Sequence, residues 1–150
     1  MHKIPDSLVI EELFEAHAKR AHRYNQIIRA INGQDPIKYT PEIKESAEKG
    51  LREMFQRLPG HDNMSEEEIE DLASDSHERW CNHWRSKGYT TGGAVGQRDD
   101  VAKTHGSLIP YSELPESEKA KDRIFVFHAL HVLEDWLYFG DGFKNSHDAE

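Results

Sequence analysis

Apolar residues return at three- and four-residue steps from Leu8 to Ile31, through Leu13, Phe14, Ala18, Ala21, Tyr24, Ile27 and Ile28. That period predicts an amphipathic helix from about Ser7 to Ile31, with Gly33 placed to leave it and Pro36 opposing its continuation. Thr40, Pro41 and Glu42 announce a second helix: a hydroxyl cap, a proline where no amide donor is needed, and an acid at the positive end of the dipole. Its stripe is Ile43, Ala47, Leu51, Met54 and Phe55, and Leu58-Pro59-Gly60 closes it. Ser65 and Glu68 have capping-box spacing. The helix they open carries Ile69, Leu72, Ala73, His77, Trp80 and Trp84 on a repeating face and leaves through Lys87-Gly88.

From Tyr89 to Tyr111 no period is sustained, and Gly92, Gly93 and Gly96 fall close together. This stretch reads as a long loop with short strands at most. Structureless loops of about 20 residues are uncommon in compact domains and are usually functional, so a ligand is sought here. Leu114-Pro115-Glu116 introduces the last helix, which runs to about Phe139. Ile124, Phe125, Val126, Phe127, Leu130, Leu133, Trp136 and Leu137 cover more than one stripe of it, as expected of the central helix of a bundle. A polar tail follows Gly142. The expected fold is therefore mainly α: a compact domain of about four helices with one long glycine-containing loop that can carry short β-strands.

Charge sharpens this picture. Of 150 residues, 19 are Lys or Arg and 28 Asp or Glu, a formal charge of −9. Residues 1–64 are net zero, 65–80 carry −6, 81–125 carry +1 and 126–150 carry −4. No extended basic surface exists for a nucleic-acid polymer, yet the near-neutral loop is compatible with one small anion. The single cysteine, Cys81, makes no internal disulfide, which suggests a reducing compartment. No apolar stretch of signal-peptide size follows the N-terminus. His128, His131, Glu134 and Asp135 interrupt the longest apolar run, so no membrane partner is expected. A cytoplasmic protein is the expectation.

Trp80 and Trp84 lie one turn apart and share a helix face; they either wall a pocket for a flat ligand or belong to the core. Tyr89 and Tyr111 flank the loop, their hydroxyls available to a polar ligand or to a backbone carbonyl. The glycine stretch is neither a P-loop nor a dinucleotide fingerprint, and a plain flexible loop is the simpler reading. Arg98, Lys103 and His105 add donors, His105 able to gain charge near neutral pH; the simpler roles are solvated surface for Arg98 and a turn-fixing hydrogen bond for His105. Asp122 is placed to hold amides or His77, and Arg123 to clamp Asp99 or Asp100. His128, His131 and Asp135 stand at metal-compatible spacing on one face, but no further ligand is indicated. Hydrogen bonds to a partner helix are the favoured role, and neither a metal nor a cofactor is expected. No nucleophile elbow or activated cysteine appears, so an enzyme is not expected.

Several linked motifs fall in one order. His77-Glu78-Arg79-Trp80 is followed by Lys87-Gly88-Tyr89, then Arg98-Asp99-Asp100, then Lys103-Thr104-His105-Gly106-Ser107-Leu108-Ile109-Pro110-Tyr111, and finally Leu114-Pro115-Glu116-Ser117-Glu118-Lys119 with Asp122-Arg123. From about Glu66 to Leu137 the chain resembles the RyR domain, found in pairs in ryanodine receptor channels and as single copies in bacteria, archaea and phages. Tyr89 stands where the family more often has Trp, and Gly106 where it often has Pro. The resemblance divides the chain into an N-terminal helical extension (1–64), a RyR-like domain (65–140) and a polar tail (141–150). It implies a small, mainly helical, non-catalytic module, similar to the sensor or ligand-binding parts of nucleotide-signalling and anti-phage systems. The expected function is binding of a nucleotide-like, planar polar molecule by Trp80, Trp84, Tyr89, Arg98, Asp99, Lys103, His105, Tyr111 and Asp122. The alternative is a protein-interaction or homodimerisation module that uses the helices of residues 7–58.

Overall fold

The computed structural model describes residues 3–59 and 63–141. The polar tail expected after Gly142, together with Gly60, His61, Asp62, His147 and Asp148, lies outside the described residues. Four long helices carry the fold: α1 (Leu8–Ile31), α2 (Pro41–Arg57), α3 (Glu66–Ser86) and α4 (Glu116–Asp135). The first three begin as their capping residues predict. Ser7 Oγ accepts from the Val9 amide at 3.1 Å and Thr40 Oγ1 from Ile43 at 3.3 Å, while Ser65 and Glu68 bond reciprocally at 3.1 Å, so orphan amides of each first turn are satisfied locally. α4 starts after Pro115 without a side-chain cap and continues beyond Asp135 as a wide π turn, Trp136–Asp141.

α4 packs against α1, α2 and α3, which is why its apolar residues exceed one stripe. Val126, Ala129, Leu130, Val132 and Leu133 share a single core with Ile10, Phe14 and Ala18 of α1, Leu51, Met54 and Phe55 of α2, and Leu72 and Ala73 of α3. Phe14 meets Phe55 edge to face at 5.4 Å, a favoured aromatic geometry. The helices of residues 7–58 therefore contribute core to the same body as α3 and α4. Ion pairs join the same elements at the surface: Arg52 with Glu11, Arg79 with Glu53, and Arg57 with Asp75. Among the described residues no helix is long and apolar enough to cross a membrane.

The aperiodic stretch between α3 and α4 is ordered by three two-residue strands, β1 (Thr90–Thr91), β2 (Arg98–Asp99) and β3 (Thr104–His105). β3 lies in the middle, parallel to β1 and antiparallel to β2. Thr90 N donates to Lys103 O at 3.0 Å, and Gly106 N to Gln97 O at 3.0 Å. These are the short strands the sequence allowed in this loop, each too short at two residues to show alternation in sequence. A 3-10 turn, Tyr111–Glu113, leads into α4.

Candidate functional site

Helical spacing puts His77, Trp80, Cys81 and Trp84 on the face of α3 that meets the small sheet. Trp80 stacks on His77 with ring centres 5.6 Å apart and meets His105 of β3 edge-on at 4.8 Å. One turn later Trp84 meets Tyr89 edge-on at 4.9 Å. Cys81, Tyr89 and Leu108 are buried behind the two indoles, which are themselves half-buried. Each ring closes a small satellite core and remains partly exposed.

Three cations gather on the outer rings. The Arg98 guanidinium lies 4.8 Å from the Trp84 ring centre and Lys87 Nζ 5.5 Å from it, while Lys103 Nζ lies 5.3 Å from the Tyr89 ring centre. These are cation–π distances. Asp100 joins the two halves, accepting from the Tyr89 hydroxyl at 2.6 Å and pairing with Arg98 Nε at 2.8 Å. Asp99 Oδ1 accepts from the amides of Val101 and Ala102, each at 3.0 Å, and so fixes the turn that delivers Lys103. Lys103 adopts a left-handed backbone, φ 56°, a conformation that costs a non-glycine residue of order 1 kcal/mol.

The interior of the same motif is polar and satisfied. His77 Nε2 donates to Ile109 O at 2.7 Å, and Nδ1 lies 3.6 Å from Asp122 Oδ2. Burial lowers the His77 pKa and pushes the Asp122 carboxyl up to about 8, with nearby Glu118 adding to the latter. The contact is therefore one between uncharged groups at neutral pH rather than an ion pair. Burial also pushes the Cys81 thiol up to about 11, leaving it protonated and unreactive. The Tyr111 hydroxyl donates to Glu70 at 2.8 Å, and Arg123 pairs with Glu70 and Glu116.

The sequence model of the RyR domain matches residues 61–139 of the chain. The chain belongs to the RyR domain family. Comparison with curated proteins returns no match.

Within the RyR domain the candidate residues divide. Arg98, Asp99 and Lys103 are exposed, Trp80 and Trp84 half-buried, and Tyr89, Tyr111 and His105 buried. Asp122 sits inside beside His77, as one of its expected roles required. His105 takes the turn-fixing role: its Nδ1 accepts from the Ser107 amide at 3.1 Å, and burial together with Arg98 pushes its pKa down to about 4, below the neutral range where it was expected to gain charge. It fixes a turn and stays neutral. Arg123 also differs, clamping Glu70 and Glu116 instead of Asp99 or Asp100, because its position on α4 faces α3 rather than the sheet. The tyrosine hydroxyls bond carboxylates, not backbone carbonyls.

Glycine amides are less available than the sequence suggests. Gly96 N donates to Ser107 Oγ at 2.8 Å and Gly92 N to His105 O at 3.3 Å. Gly106, where other RyR domains often carry Pro, is required by close packing: a Cβ there would lie 1.8 Å from Ala94 O. The segment joining α1 to α2 also reaches this loop. Gln34 donates to buried Glu118 at 2.7 Å, Lys121 pairs with Glu118 at 2.9 Å, and a Cβ on Gly96 would strike Gln34.

Sequence reasoning missed Lys87, whose signal was its position three residues after Trp84, and Glu70, whose carboxylate holds both Tyr111 and Arg123. It also missed His17. That residue of α1 bonds His128 and Asp135 of α4, supplying the partner-helix contact expected for the α4 histidines. A separate shallow cleft is lined by Glu66, Ile69, Glu70, Arg123 and Phe127, and contains none of the candidate residues.

Proposed function

We propose that this RyR-domain protein binds a small, planar, anionic molecule, a nucleotide or nucleotide derivative, without turning it over. The observation that carries this reading is the convergence of Lys87, Arg98 and Lys103 on the rings of Trp84 and Tyr89. Aromatic edges backed by cations suit a base or similar flat group with attached phosphate. Asp99 and Asp100 offer acceptors to hydroxyl or exocyclic amino donors. Trp80, His105, Tyr111 and Asp122 act behind this rim, holding α3, the sheet and α4 in register. The absence of turnover is supported by the chemistry of the rim and its support: the thiol is protonated and buried, and His105 is neutral with Nδ1 engaged. Sensing and sequestration are both served by such a site, and bacterial or phage defence signalling is the setting in which it would operate.

A calorimetric and thermal-shift screen against mono-, di- and cyclic nucleotides and ADP-ribose-type compounds tests the proposal. At least one is expected to bind with one-to-one stoichiometry and to raise the melting temperature. No binding by any of them would overturn it.

One observation favours a second reading. On α1, Tyr24, Ile27 and Ile31 are spaced along one face, with Ile27 56% and Ile31 78% exposed, an apolar stripe of the kind that a second copy or a partner helix covers. Dimerisation abolished by Ile27→Glu, measured by light scattering, would support this reading; a monomeric wild-type chain would contradict the homodimer.

A further inference from the structure

At the other side of α4, three imidazoles from two helices face one another. His17 of α1 and His128 of α4 are buried, and His131, one turn further along α4, is exposed. Their ring centres stand 5.6, 5.7 and 6.1 Å apart, and one nitrogen from each lies within 4.8 Å of the others. None of the three belongs to the aromatic and cationic rim.

The His17–His128 pair has the geometry of two ligands on one ion. Their Nδ1 atoms are 3.3 Å apart. Two nitrogens bound to zinc at about 2.0–2.1 Å and disposed tetrahedrally are separated by about 3.3–3.4 Å. As a hydrogen bond the same distance is long.

Asp135 sets the tautomer. Its Oδ2 lies 2.8 Å from His17 Nε2, so the proton of neutral His17 resides on Nε2 and the lone pair on Nδ1 points at His128. A carboxylate on the far nitrogen of a ligating histidine is the recurrent arrangement at metal sites. His131 is exposed, and one of its ring nitrogens lies within 4.8 Å of a nitrogen of each of the other two. Arg20 opposes a cation by acting on His128, and Asp135 offsets that charge from the other side.

We propose that His17, His128 and His131 form a three-histidine site for a borderline first-row divalent cation of the zinc class, with Asp135 positioning His17. Three neutral imidazoles without thiolate or oxygen ligands select Zn2+, Co2+ or Ni2+ over Mg2+ or Ca2+. A bound ion would join α1 to α4 and keep one coordination position for water.

The test uses the full chain, stripped of metal and titrated with Zn2+ by calorimetry and with Co2+ by visible absorption. The site predicts one equivalent of tight binding, the intense visible bands of tetrahedral Co2+, and a melting temperature that rises with Zn2+. The exposed residue is the one to remove: His131→Ala should weaken Zn2+ binding at least tenfold and abolish the Co2+ bands while the far-UV spectrum stays unchanged. Asp135→Asn should weaken binding roughly tenfold to a hundredfold; unchanged affinity in that variant would overturn the positioning role. The chain has ten histidines, so unchanged Zn2+ affinity in His131→Ala would overturn the site, as would a wild-type chain that takes up no stoichiometric metal.

Discussion

Asp122 of α4 and His77 of α3 meet at 3.6 Å, Oδ2 to Nδ1, both largely out of solvent. The consequence is a carboxyl held protonated in the native state up to about pH 8, against an ordinary value of 3.8. Between those values the native state binds a proton that the unfolded chain does not. The stability this contributes is complete at low pH and is lost as pH rises through about 8. His105 works in the opposite sense: with its native value near 4 against 6.5, its contribution is present above 6.5 and lost as pH falls towards 4.

Between about pH 4 and 6.5 these two slopes cancel, so urea unfolding should show a plateau there and a fall in stability above pH 6.5. Between pH 6.5 and 8 the fall should be no steeper than about 1.4 kcal/mol per pH unit. Asp122→Asn removes the titrating group, so its stability should be flat over that window. A variant that declines as steeply as the wild type would assign the loss to other groups.

Phe14 tests whether the N-terminal helices share one cooperative unit with the RyR domain. It is fully buried against Phe55, in the core shared with Val126 and Leu130. Phe14→Ala should cost about 3–5 kcal/mol and lower a single unfolding transition, read by calorimetry. Two separate transitions, with the tryptophan-reported one unmoved, would mean that α1 and α2 melt on their own.

Gly106 is a steric requirement. Because a Cβ would overlap Ala94 O, Gly106→Ala should destabilise the sheet by about 1–3 kcal/mol, seen as a lower melting temperature. An unchanged melting temperature would show that the Ala94 turn moves aside without cost.

Lys103 combines a strained backbone with a charge on the rim. Lys103→Gly relieves φ 56° and should be at least as stable as Lys103→Ala, by roughly 1 kcal/mol, although both lack the cation. Equal stability of the two variants in urea would place no strain at this turn.

The long elements were legible because their signals are local. Ser7, Thr40 and the Ser65/Glu68 pair each mark a helix start within three residues of the bonds they make, and the excess apolar surface of α4 announced its central position. The family motifs placed Trp80, Trp84 and the cations beside one loop. What escaped depends on distant pairing. Arg123 meets Glu70 from 53 positions away, and His17 meets His128 from 111; no period or spacing in the chain encodes such contacts. The neutrality of His105 likewise follows from burial that a two-residue strand does not reveal.

The central claim is that a flat anionic ligand seats at Trp84, under Lys87, Arg98 and Lys103. The most direct measurement follows the indole N–H resonances of the three tryptophans while the best nucleotide from the screen is titrated in. The Trp84 signal should shift at saturation, that of Trp136 should stay in place, and Arg98→Ala should abolish the shift. Binding that moves the Trp136 signal and leaves Trp84 unmoved would contradict the account.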